Sequence, residues 1–108
     1  MRPEPTVRAT RYAVCALPDD HEWRRHFVIH VEWRGDDRWA VVQPGEPAPC
    51  LSSDGTWDWE MRPSERTDEW IATHRFDLDT ALRLAEEAAP HLTVNGSTPA
   101  DVLARGDS

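Results

Sequence analysis

The sequence predicts an α+β fold: an antiparallel sheet of about five strands, one main helix packed on one sheet face, and a short C-terminal helix. Three observations carry that expectation. Residues 78–89 hold the one sustained helical stripe, with Leu78, Ala81, Leu82, Ala85, Ala88 and Ala89 recurring at about 100° per residue. Residues 26–33 alternate, with Phe27, Ile29, Val31 and Trp33 on one face, and 39–43 form a return strand across a short Gly35-Asp36-Asp37 turn. A second hairpin flanks Asp54-Gly55, with Trp57, Trp59 and Met61 on one face of its second strand.

The helix is bounded by its own chemistry. Asp77 is placed to cap the first turn, and Asp79 adds negative charge at the positive helix end. Asp79 and Arg83, then Arg83 and Glu87, are i,i+4 pairs on the polar side. Pro90 ends the helix because it lacks an N–H and crowds the preceding turn. The flanking stretches Trp70–Phe76 and Leu92–Val94 read as strands, which makes residues 70–94 a strand–helix–strand unit. An Ala-rich stripe lets the helix lie close to a sheet bearing large side chains, and Trp33, Trp39, Trp57 and Trp59 are the expected partners.

In chain order, residues 1–10 form a flexible arm and 11–105 a single domain. Arg11–Leu17 is a first strand, 18–25 a polar loop carrying Trp23, and His26–Trp33 a second strand. A Gly35-Asp36-Asp37 loop sets Trp33 opposite Trp39 and Val31 opposite Val41, so both apolar sets share a face. Residues 44–49, Pro-rich, are a stiff connection. Cys50–Ser53 and Thr56–Met61 then form a hairpin, with a two-residue type I′ turn expected at Asp54-Gly55. Residues 62–69 are a polar loop or a short helical turn. Asn95-Gly96 turns the chain, and Thr98-Pro99-Ala100-Asp101 reads as N-cap, Pro at N1 and an acid at N3 of a helix over 99–105.

Composition restricts function. The chain has 108 residues and a net charge of −8, and all 12 basic residues are Arg. Residues 1–38 balance seven Arg against seven acids, whereas 39–108 hold five Arg against thirteen. An acidic excess of this kind opposes binding to duplex nucleic acid or anionic membrane, so no direct nucleic-acid binding is expected. No apolar run reaches the length of a membrane span, and residues 1–10 lack the apolar core of a signal peptide. A cytoplasmic location follows, with Cys15 and Cys50 as reduced thiols.

Residues that bear chemistry do not assemble into a known motif. His26 and His30 share a strand face with Glu32, and His21 lies near, but residues four apart on a strand are separated by roughly 13 Å. One metal ion does not bridge that span, so neither a metal nor any other cofactor is expected. Cys15, Cys50 and Ser52 lack a nucleophile elbow, and no Gly-rich loop precedes a helix, so no catalytic residue is expected. The candidate interaction surface is acidic: Asp58, Glu60, Glu65, Asp68, Glu69, Asp79, Glu86 and Glu87, with Trp23 as an exposed aromatic.

Phe76-Asp77, Ala81-Leu82, Ala85, Ala89-Pro90 and Val94-Asn95-Gly96 resemble the C-terminal halves of small uncharacterised phage and mobile-element proteins of GC-rich bacteria. The resemblance covers residues 70–104 and lends no catalytic residue. It implies a small accessory protein, acting on a protein partner of unknown identity. Two further classes stand beside it: an acidic nucleic-acid mimic that occupies the groove of a DNA-binding protein, and an enzyme with an unrecognised site. The sheet face away from the main helix, bearing His26, Val28, His30, Ala40 and Val42, is too apolar to stand bare. Its expected cover is the C-terminal helix around Val102 and Leu103, or a second copy of the chain in a homodimer.

Overall fold

The computed structural model describes residues 3–45, 48–59 and 63–106. Five strands form one antiparallel sheet in sequential order: β1 (Arg11–Val14), β2 (Ile29–Trp33), β3 (Trp39–Val42), β4 (Pro49–Leu51) and β5 (Trp57–Trp59). Three α-helices follow, α1 (Asp68–His74), α2 (Leu78–Ala88) and α3 (Pro99–Gly106). The expected α+β class holds, as does the packing of the main helix on one sheet face.

The β2–β3 register is the one that the alternation dictates, with Val31 opposite Val41 and Trp33 opposite Trp39. Gly35, Asp36 and Asp37 all adopt positive φ in the turn, a conformation that Gly, Asp and Asn tolerate best. Strand β2 starts at Ile29 because Arg24–His26 closes a 3-10 turn before it, which removes His26 from the strand face. The second hairpin differs from the expected type I′ turn. Gly55 alone takes positive φ, its N–H bonds the Ser52 carbonyl, and the Ser52 N–H bonds Thr56 O. That is a three-residue loop, a tight turn followed by one left-handed glycine.

The main core lies between α2 and one sheet face. Ile29, Val31, Trp39, Val41 and Leu51 meet Ala81, Ala85 and Ala89, with Phe27, Phe76 and Leu92 closing the ends. Asp77 caps α2 by accepting from the Thr80 N–H at 2.7 Å. Of the four expected Trp partners, Trp39 is buried and Trp33 and Trp57 pack partly against the core, but Trp59 stands 65% exposed. It sits at the far end of the edge strand β5, outside the cover of α2. Val102 and Leu103 of α3 join this same core, so α3 does not cover the opposite face.

That opposite face is covered by an element the alternation misassigns. Residues 68–74 are helix α1, not a strand. Thr67 Oγ1 accepts from the Trp70 N–H at 3.1 Å, and Asp68 and Glu69 occupy the first turn. A hydroxyl cap followed by two acids outweighs the β preference of Trp70, Ile71 and Thr73. Trp70 lies on Ala40, Val42 and Cys50, which are 0%, 3% and 0% exposed. The chain then crosses to the α2 side at Phe76, whose N–H and carbonyl pair with Trp39. The expected strand at 92–94 reduces to a single bridge, Val94 to Ser97.

Candidate interaction surface

A compact polar cluster lies where α1 meets the sheet. Cys50 and Asp58 are cross-strand partners on β4 and β5, so both project toward α1. His74, 5% exposed, places Nε2 at 2.8 Å from Asp58 Oδ2. Its Nδ1 lies 2.8 Å from the Trp70 carbonyl and 2.8 Å from Thr73 Oγ1. The Thr73 hydroxyl is within donating distance of the Glu69 and Trp70 carbonyls, which leaves its oxygen to accept. Both ring nitrogens of His74 therefore lie within hydrogen-bond distance of oxygen atoms.

The rings of Trp70 and His74 are stacked, 4.3 Å apart and 7° from parallel. Four-residue spacing on one helix brings them together. The guanidinium groups of Arg75 and Arg66 lie over the same indole, at 5.0 and 5.5 Å. Arg75, also 5% exposed, donates to the His74 carbonyl at 2.9 Å and reaches Cys50 Sγ at 3.7 Å. Chemically the cluster is a fastening. His74 has both nitrogens engaged, Cys50 is fully buried, and neither is presented to a solute. Among the described residues, no His, Cys, Asp and Glu side chains gather closely enough to hold a metal ion.

The perturbed carboxylates tell the same story. The hydroxyls of Ser52 and then Thr56, with the Thr56 N–H, bring Asp54 down to about 2 in the second hairpin loop. Hydrogen bonds from Thr80 lower Asp77, and those from Thr98 lower Asp101. Asp101 and Thr98 cap each other reciprocally at the start of α3. Each shift belongs to a turn or a cap.

The candidate surface divides in two. Asp58 sits beside His74, while Glu65, Asp68 and Glu69 are exposed around the start of α1. Asp79, Glu86 and Glu87 are exposed on α2, across the sheet from α1. Glu60 lies outside the described residues. Trp23 is 44% exposed in the loop before β2. No family model, curated protein or solved structure matches the chain. Among the described residues, no helix is long and apolar enough to cross a membrane.

Two features of this surface differ from what the sequence pattern indicates. Trp59 alternates like a core residue, and only the short reach of α2 shows that it is uncovered. The fastening of α1 was legible in principle, from Thr67-Asp68-Glu69 and from Trp70 and His74 four residues apart.

Proposed function

We propose that this is a small non-catalytic interaction protein, of the accessory kind carried by phages and mobile elements, and that its contact surface is the β5–α1 end of the sheet. The observation that carries the reading is Trp59, the most exposed aromatic side chain, standing on an edge strand. A rigid aromatic projecting from an edge strand is the kind of anchor that dominates protein interfaces. Asp58, next to it on the same strand, turns toward α1, and Glu65, Asp68 and Glu69 are exposed in the segment that follows β5, so the β5–α1 end carries negative charge beside the anchor strand. The partner that complements it is a protein surface with an apolar pocket rimmed by Arg or Lys. The division of acids between α1 and α2 weighs against a continuous imitation of a phosphate backbone, so the single-ended surface is the better-supported reading.

Affinity capture from the cell that carries the gene tests it, with wild type beside Trp59→Ala and the double variant Asp68→Asn, Glu69→Gln. A defined partner should be retained by wild type and lose roughly 30-fold in affinity with Trp59→Ala, as an interface anchor does. The charge variant should chiefly slow association and flatten its salt dependence. Equal capture by all three proteins, with circular dichroism confirming their folds, rejects this surface.

A further inference from the structure

Strand β1 ends the sheet, and among the described residues no strand pairs with its outer side. The register settles which of its groups face outward. Arg11 lies opposite Glu32, and one residue earlier the Thr10 carbonyl accepts the Trp33 N–H at 2.9 Å. Such bonded pairs alternate along an antiparallel ladder. Tyr12 and Val14 therefore also bond β2, while Arg11 and Ala13 turn their N–H and carbonyl groups away from it. Natural edges are often blunted by a bulge or a Pro. The pairing from Arg11 to Val14 is consecutive, without a bulge, and β1 contains no Pro. Its one charged side chain, Arg11, lies 3.8 Å from Glu32.

The side chains on this edge suit a copy of itself. Tyr12 is 37% exposed on the α2 side, and its ring is held 5.7 Å from that of Trp39. Arg11 and Ala13, both exposed, share the other side. In an antiparallel pair centred on Tyr12, tyrosine meets tyrosine, Thr10 meets Val14 and Arg11 meets Ala13, so no like charges stand opposite. Moving the centre to Arg11 would set guanidinium against guanidinium. The charge of the whole molecule favours the same end. Each copy carries −8, but residues 1–38 balance seven Arg against seven acids, and the excess lies in 39–108. The other edge, β5, carries Asp58 and leads to the exposed Glu65, Asp68 and Glu69. Of the two edges, β1 is the one at which two copies meet with less repulsion.

We propose that β1 pairs antiparallel with β1 of a second copy, about a two-fold axis through Tyr12. Arg11 and Ala13 exchange backbone N–H···O bonds with Ala13 and Arg11 of the second copy, and the two Tyr12 rings meet on the α2 side of the joined sheet. The contact is isologous and closes on itself, so it yields a dimer and not a fibre. So short a strand gives a weak dimer, with Kd about 100 µM. The sheet runs on from one copy to the other, and β5 of each copy stays at an outer end. The dimer therefore presents Trp59 at both ends, which makes it bivalent toward a multimeric or repeating partner. The β1 pairing itself is independent of the contact surface at β5 and α1.

Sedimentation equilibrium of the full chain, from about 5 µM to about 1 mM, spans the expected monomer–dimer transition. Hydrogen exchange locates it: the amides of Arg11 and Ala13 should exchange more slowly in concentrated than in dilute protein. Ala13→Pro removes an outward N–H on an edge strand, where Pro is tolerated, and should abolish the dimer. Ala13→Glu, set opposite Arg11 of the second copy, should tighten the dimer about fivefold, and Ala13→Arg should weaken it about fivefold. Circular dichroism in dilute solution checks that each variant folds, and the two charge variants carry the test if Ala13→Pro does not fold. A monomer at about 1 mM overturns the proposal. So does a dimer indifferent to the charge at position 13. Arg11 and Ala13 amides equally protected in dilute protein would show a cover from within the chain, and overturn it as well.

Discussion

Replacing Trp70 by Ala tests what covers the second sheet face. Trp70 is half-buried, and beneath it lie Ala40, Val42 and Cys50, each no more than 3% exposed. Removing a fully packed Trp costs about 3–5 kcal/mol, and half-burial brings the packing loss to roughly half of that. The stacked contact with His74 at 4.3 Å adds about 0.5–1.5 kcal/mol. A total of about 2–4 kcal/mol follows, or roughly 10–20 °C in melting temperature for a domain of this size. Urea titration gives the first readout. The second is the Cys50 thiol, fully buried beneath the indole. In a Cys15→Ser background, Cys50 is the only thiol, and Trp70→Ala should open it to a thiol reagent under native conditions. Truncation after residue 98 should destabilise the main core through the loss of Val102 and Leu103, without a comparable preference for exposing Cys50. An unchanged urea midpoint with Cys50 still protected in Trp70→Ala would refute the assignment of α1 as the cover.

Two further outcomes follow from the packing and the turns. Ala85→Trp forces an indole between α2 and the sheet at a site with no exposed area, and should lower stability by about 1–3 kcal/mol or more; a thermal melt unchanged from wild type contradicts the packing. Asp54, Asp77 and Asp101 are depressed in the folded state, so their contribution is complete above the ordinary aspartate range near 3.9 and is lost as pH falls toward the folded values, about 2 for Asp54. Urea midpoints should therefore fall between about pH 4 and pH 2, and Asp54→Asn should make that fall shallower; an identical acid slope in the variant removes Asp54 from the cause.

The parts of the fold that were legible in the sequence are those whose signals repeat. The Ala stripe of α2 runs for three turns, and Asp77 and Pro90 mark its ends. The β2–β3 register follows from period-two alternation together with a turn of fixed length. Helix α1 spans only seven residues, Asp68–His74, too short for a 3.6-residue period to separate itself from alternation. Its Trp, Ile and Thr favour strands, and only Thr67 with the acids behind it argues otherwise. The same brevity hides Trp59: alternation assigns it a face, but coverage depends on where α2 ends. The cavity beside Trp23 was least legible of all. Its lining comes from residues 23–27, 94–97 and 102–105, which no local pattern connects.

The misreading of α1 also alters what the sheet asks of the outside. A second face with Val28, Ala40 and Val42 exposed would call for a partner copy. With Trp70 over Ala40, Val42 and Cys50, and with His26 in a 3-10 turn beside Trp23, that demand is met from within the chain at its most apolar part. The polar cluster explains why a seven-residue helix can do this. A helix so short has little stability of its own. Its docking is secured instead by His74 on Asp58, by Arg75 beside Cys50, and by the Ser53 N–H donating to the Thr73 carbonyl at 2.8 Å. Polar groups that would otherwise be candidates for catalysis are thereby occupied in holding α1 to the sheet. What the described residues present outward then includes Trp59 on β5 and the cavity lined by Trp23, Phe27, Val94 and Val102.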